Sequence, residues 1–339
     1  MARTAGRSWL LLGGLGLAVV ACTDQPASDS GVDAVGPLAA DFAEFVSDPA
    51  LARVLGALDA YDAALADRTA GGDHASAQGA WTELMLAWQE VELMQIGPAR
   101  SSLSGGEDIR DEIYSWPTGV NACRIDQETL EEDWDSATFF EDNLVNSYGL
   151  DGLEQLTFGG EETICPSQVG IDEAWAELGP EGVEANRVAF AAVLSADVRG
   201  HVESLVGTVP GDEDEVFAAL FYLDSVTKDL KLGGELEHEP SGIAAQAVQA
   251  NLEGFRAGFT GGEGYGFDDW LAEVGHADLA DQILAETDEA IATAAATASL
   301  EDGTEQLFAE VKDVTDLLKG DMVTVLTLTI PDEASGDND

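Results

Sequence analysis

NSYGLDGLEQLTF, residues 146–158, is the stretch from which the fold can be read. Leu150, Leu153 and Leu156 recur every third residue, so they share one face of a helix. Asp151 and Glu154 have the same i, i+3 spacing and project together beside that apolar stripe. Two carboxylates fixed this way can bind a hard cation through oxygen ligands. An ordinary amphipathic helix with a wet edge gives the same pattern, so both readings stay open.

Upstream, Trp81, Leu84, Trp88 and Val91 recur in steps of three and four. They define the buried face of a helix over 74–96, which Gly97-Pro98 stops. Further helices are predicted over 37–68, 127–134, 138–158, 181–206 and 213–231. Later ones fit 241–259 with Ser241 as cap, 267–274, 277–298 and 302–319. Residues 99–126 read as irregular. Residues 323–330 alternate like a strand, but a lone strand has no partner, so they read as an extended tail. Long antiparallel helices predict an all-α protein of two bundles, the first over about 37–165 and the second over about 181–320. The domain is expected to end near residue 330, with an acidic tail over 331–339.

The chain start suggests where this domain works. Arg3 and Arg7 precede an apolar run from Trp9 to Val20, too short for a comfortable bilayer span. A basic head, a brief apolar core and Ala21 describe a secretory signal over residues 1–21. Cys22 directly after it resembles the lipobox of bacterial lipoproteins. That resemblance implies lipid on Cys22, and Thr23 in place of aspartate leans toward the outer membrane. Residues 22–36 are small, polar and acidic, like a flexible tether.

Composition narrows the partners. The 339 residues carry 66 acidic and 14 basic side chains, a net charge of −52. No basic stripe exists to neutralise phosphates, which argues against nucleic acid and against docking on anionic lipid. A lipid anchor is therefore the expected membrane link. A strongly negative field concentrates cations, although an acidic, lysine-poor surface also keeps a protein soluble in salty water. With Cys22 lipidated, Cys123 and Cys165 remain as a pair in an oxidising compartment. A disulfide between them closes a loop worth about 4 kcal/mol in the chain-entropy description.

Several stretches together resemble the imelysin-like proteins of the bacterial envelope, which are built of two helical bundles. They are WQEVELMQIGP (88–98), IRDEIYSWPTGVNACRIDQ (109–127), GLDGLEQLTF (149–158), Cys165-Pro166, KDLKLGG (228–234) and GFDDWL (266–271). The resemblance covers nearly all of the chain after the signal, and it agrees with a Cys123–Cys165 disulfide. The family signature is G-x-H-x-x-E, proposed there as a metal or peptidase site. Here Gly149 and Glu154 match it, and Asp151 stands at the histidine position. An Asp/Glu pair suits calcium, magnesium or ferric iron better than zinc.

Of the acids upstream, Glu90 and Glu92 lie two apart and cannot share a helical face, so Glu92 is chosen as the third candidate ligand. Arg110 is expected to make a buried carboxylate contact that fixes its loop. No H-E-x-x-H, G-x-S-x-G or phosphate-binding glycine loop is present. His74, His201, His238 and His276 each read as surface or structural residues, with His238 the most suggestive because Glu235, Glu237 and Glu239 surround it. The functional expectation is a non-enzymatic, envelope-anchored protein that binds iron, another hard cation or a metal-bearing ligand. A metallopeptidase of the imelysin type and a scaffold lipoprotein with a vestigial site are the alternatives.

Overall fold

The computed structural model describes residues 35–69, 74–235 and 237–330. The expected signal, Cys22, the tether up to residue 34 and the acidic tail lie outside the described residues. All the described secondary structure is helical, with no strand among the described residues. No helix among them is long and apolar enough to cross a membrane.

The chain opens with α1 (Val35–Asp41), which runs through a π-helical stretch, Phe42–Ser47, into α2 (Asp48–Thr69). Next come α3 (His74–Glu92), the short α4 (Ile109–Ile113), α5 (Ala122–Glu131), α6 (Phe139–Asp142) and α7 (Gly149–Phe158). Then α8 (Asp172–Leu205) is interrupted at Gly179, whose φ of 69° precedes Pro180. It is followed by α9 (Glu213–Leu220) and a π-helical Leu223–Lys231. The chain continues with α10 (Ala244–Thr260), α11 (Phe267–Glu273), α12 (Ala277–Ala296) and α13 (Leu300–Leu317). A π-helical Leu318–Met322 and α14 (Val323–Leu326) complete it.

These helices close into two rings. In the first, α2 packs on α3 and α8, and α7 packs on α8 and α3. In the second, α10 packs on α12 and on Leu223–Lys231, and α13 packs on both of those. The two rings meet where α3 lies against α10. Residues 181–205, expected with the later helices, therefore close the earlier ring. The apolar periodicity explains the packing: Trp81, Leu84, Trp88 and Val91 are all buried along one side of α3. One continuous core runs through both rings, from Val54 and Trp88 through Leu153 and Val198 to Phe255, Ile283 and Val314.

Three expectations need correction. The single helix expected over 138–158 is broken, and α7 starts afresh at Gly149. Gly149 has φ +66°, and a Cβ there would stand 2.7 Å from the Ile113 carbonyl oxygen. Only glycine lets the chain turn into α7 so close to the end of α4. Ser241 does not cap the next helix; α10 begins at Ala244, and the serine serves Glu154 instead. The tail expected over 323–330 begins as helix. Met322 and Leu326 are four residues apart and both buried, so the alternation there belongs to a helical face.

The Cys123–Cys165 disulfide is present. It ties the first turn of α5 to the segment that follows α7. The geometry at Gly149 predicts that Gly149→Ala lowers stability by about 2 kcal/mol, because the backbone strain and the Ile113 contact act together. A urea unfolding midpoint measures it.

Candidate functional site

The helix α7 is buried from Gly149 through Thr157, so its carboxylates cannot be solvated by bulk water. Each is held instead by a serine from another segment. Asp151 Oδ2 accepts hydrogen bonds from the Ser115 backbone N–H (3.0 Å) and hydroxyl (2.9 Å). Glu154 Oε1 accepts from the Ser241 backbone N–H (3.1 Å) and hydroxyl (2.5 Å). Such donors lower the cost of burying a carboxylate.

Glu154 Oε2 faces His238 Nδ1 at 3.5 Å. His238 has a left-handed backbone, φ 56°, and its carbonyl accepts from Gly242 N–H at 2.7 Å. The tight turn sends the imidazole inward, where it stacks on Tyr114 at 5.9 Å between ring centroids and meets the edge of Trp81 at 5.7 Å.

Behind this lies an ion-pair layer. Glu237 Oε1 accepts from Tyr114 Oη (2.7 Å) and Lys231 Nζ (2.8 Å), and lies 3.5 Å from His238 Nε2. Lys231 also reaches Glu92 Oε2 at 2.9 Å and Gln89 Oε1 at 2.5 Å. Arg110 donates to the other Glu92 oxygen at 2.5 Å and to Tyr222 Oη at 3.2 Å. Glu237 Oε2 is buried without a hydrogen-bond partner.

The network therefore holds four carboxylates, Glu92, Asp151, Glu154 and Glu237, against Arg110, Lys231 and His238. With all four carboxylates ionised and the imidazole protonated, one negative charge is left over. Burial would raise Glu92, but Lys231 and Arg110 outweigh it and hold its carboxyl at about 2. Asp151 has no such partner. Burial pushes its carboxyl up to about 7; Ser115 and His238 oppose the rise and Glu154 adds to it. Burial alone would lower His238, but Glu237 and Glu154 raise it above the ordinary value.

The structure thus brings Asp151 and Glu154 into one sheltered cluster with His238. Glu92 belongs to the same buried network, but both its oxygens are engaged by Arg110 and Lys231. His238 is the residue that the sequence marked as the most suggestive histidine but left out of the candidate ligands. Neighbouring loop residues normally diverge, and only the left-handed turn buries Glu237 and His238 together. Among the described residues, three ligand atoms come within 4.8 Å of one another only at Glu128, Glu131 and Asp133, so the α7 trio is spread more widely than that.

The pKa directions set the pH dependence. An acid raised in the fold destabilises it once ionised, so the Asp151 contribution worsens as pH climbs from the unfolded value toward about 7. The raised His238 stabilises most below its unfolded value, and that gain fades as pH rises through the folded value. Both predict a melting temperature that falls between about pH 5 and 8. Asp151→Asn, which keeps the Ser115 acceptor, should flatten most of that slope and raise the melting temperature at pH 8 by several degrees, as read by calorimetry.

Comparison with known proteins agrees with this architecture. The Imelysin family model (Peptidase_M75) matches residues 50–321. An imelysin-like protein from Psychrobacter arcticum 273-4 superposes with a TM-score of 0.63 at 15% identity, covering 86% of this chain and 95% of that one. A protein described as an iron-regulated protein A precursor, from Parabacteroides distasonis ATCC 8503, gives 0.64 at 15% identity, over 86% and 94% of the two chains. No curated protein matches the sequence. At such identities the structural likeness speaks for the fold alone, but the family match spans most of the sequence: the chain belongs to the imelysin family.

Proposed function

We propose that this imelysin-family protein is a non-enzymatic binding protein that takes a hard cation, of the iron or calcium kind, at Asp151, Glu154 and His238. The observation that carries the reading is the placement of His238 against Glu154, one helical turn from Asp151. The imidazole absent from position 151 is offered from the 235–242 loop instead. The donor set is mixed oxygen and nitrogen, which suits iron better than calcium, whose ligands are oxygen, and does not demand zinc. The uncompensated negative charge of the network gives a cation an electrostatic reason to enter. A structural neighbour described as iron-regulated supports iron among the candidates.

Glu154, Asp151 and His238 would hold the ion, and Ser115 and Ser241 keep the two carboxylates aimed. When bound, the ion supplies positive charge that the protein's own bases leave lacking. Lys231 and Arg110 reserve Glu92 for structure, so the ligand set excludes it. A peptidase would need a polypeptide to reach Glu154, yet Asp151, Glu154 and His238 are each under 10% exposed. That favours binding over cleavage.

Metal analysis of the purified chain after loading with ferric citrate or calcium chloride tests the assignment. Stoichiometric metal that disappears in Asp151→Asn/Glu154→Gln, with the helical circular dichroism unchanged, is the expected result. Equal metal in the variant would overturn it, and chelator-sensitive proteolysis lost in Glu154→Gln would restore the peptidase reading.

The anchoring is proposed on the sequence of residues 1–22. Lipid on Cys22 would hold the domain at the bacterial envelope, with the outer membrane favoured by Thr23. Precursor processing in cells is then expected to stop with globomycin and with Cys22→Ser.

A further inference from the structure

A recess separate from the α7 carboxylates opens where the segment after α3 faces α9 and the start of Leu223–Lys231. Its volume is about 570 Å³, room for a small organic molecule. Among the described residues thirteen line it, and none of the thirteen is acidic. Acids make up about a fifth of the chain, 66 of 339 residues, so their absence from this wall marks it out. Phe221, Val226 and Ile330 supply apolar surface, Gln95 and Ser225 supply neutral polar groups, and Arg100 supplies a charge.

Arg100 is fixed in place but incompletely neutralised. Its Nη2 donates to the Ser104 carbonyl at 2.5 Å. Its Nη1 lies 3.5 Å from Glu215 Oε1, long for a hydrogen bond, and that oxygen already accepts from the Gly97 N–H at 2.7 Å. A smaller recess of about 170 Å³ adjoins through the shared walls Gln95, Ser101, Tyr222 and Val226, and it reaches Arg110. The two acids there are engaged: Asp108 Oδ1 accepts from the Ser102 N–H at 2.7 Å, and Asp111 Oδ1 from Arg110 Nη1 at 2.9 Å. Such a lining repels a cation and suits an anionic head, which a guanidinium holds by charge-assisted hydrogen bonds.

The rim carries an apolar counterpart. Leu103 is 97% exposed. Single leucines scattered on a surface need no partner, but this one shares the wall with Phe221, Val226 and Ile330. Nor is its loop slack. The N–H groups of Gly106, Glu107 and Asp108 donate to the carbonyls of Ser101, Pro98 and Arg100 at 2.9–3.0 Å, and Gly105 makes the left-handed turn, φ 89°. The loop thus holds a bare leucine at the mouth, where an apolar ligand would remove it from water.

We propose that this recess binds a small amphipathic carboxylate, its anionic head on Arg100 and its apolar body along Phe221, Val226, Ile330 and Leu103. The net charge of −52 opposes an anion at long range, but physiological salt screens that field beyond about 8 Å, while the Arg100 contact is local. The site does not rest on the α7 reading.

The probe is 8-anilinonaphthalene-1-sulfonate, an apolar body with an anionic head, titrated into the purified chain in physiological salt. A saturable one-site gain of fluorescence is expected. Octanoate should displace the probe, and octyltrimethylammonium, with the same tail and the opposite charge, should not. Arg100→Gln alters a part-exposed side chain, so it should fold, and it should weaken octanoate about tenfold. Val226→Trp fills both recesses and should abolish the fluorescence with the helical circular dichroism unchanged. Asp151→Asn/Glu154→Gln should leave it intact, which separates a failure here from a failure of the cation site. Displacement by octyltrimethylammonium as readily as by octanoate would overturn the proposal. So would undiminished binding in either Arg100→Gln or Val226→Trp.

Discussion

The ammonium of Lys231 is the interaction on which the centre of this molecule depends. It sits between the two helical rings and binds Glu92, Glu237 and Gln89 together. Trp116 covers it at 5.2 Å from the ring centroid. Without it the buried Glu92 would keep only Arg110 and the buried Glu237 only the His238 imidazole as a basic neighbour, a cost of several kcal/mol per uncompensated ion. With it, α3 of one ring and the π-helical Leu223–Lys231 of the other are joined by charge as well as by apolar packing. The loop that carries Glu237 and His238 is held to the same point.

An acidic protein with few lysines uses them with economy. Lys228, in the same π-helical stretch, binds the buried Asp224 at 2.9 Å, and Lys319 binds the other oxygen of that carboxylate at 2.6 Å. Lys228 also lies over the Phe308 ring. Only Lys312 makes a purely surface pair, with Asp316 one turn on. The surface is left acidic, while the interior holds much of the positive charge. Two separate ion clusters thus anchor one short segment, Lys228 toward α13 and Lys231 toward α3.

Much of the fold was legible because it is periodic. Trp81, Trp88 and their neighbours announce a helix with one buried face, and the structure buries that face. The grouping of Asp151 with Glu154 followed from a single helical turn. What the periodicity hid were the interruptions. Gly149 restarts the motif helix because a carbonyl from α4 passes too close for any side chain, and that crowding comes from another part of the chain. Ser241 looks like a helix cap in sequence, but Glu154 takes both its hydrogen and its backbone N–H.

The sequence by itself determined the helical class and the presence of two acids on one face of α7, and it pointed to the Cys123–Cys165 bridge that the structure shows. Each follows from local spacing or from the count of residues of one kind. Only the tertiary structure decided which partners those acids meet. It took Glu92 away to Arg110 and Lys231, and it delivered His238 to Glu154 from 84 positions along the chain. Such meetings depend on how two rings dock and on one left-handed turn, and long-range electrostatics has no period that a sequence could display.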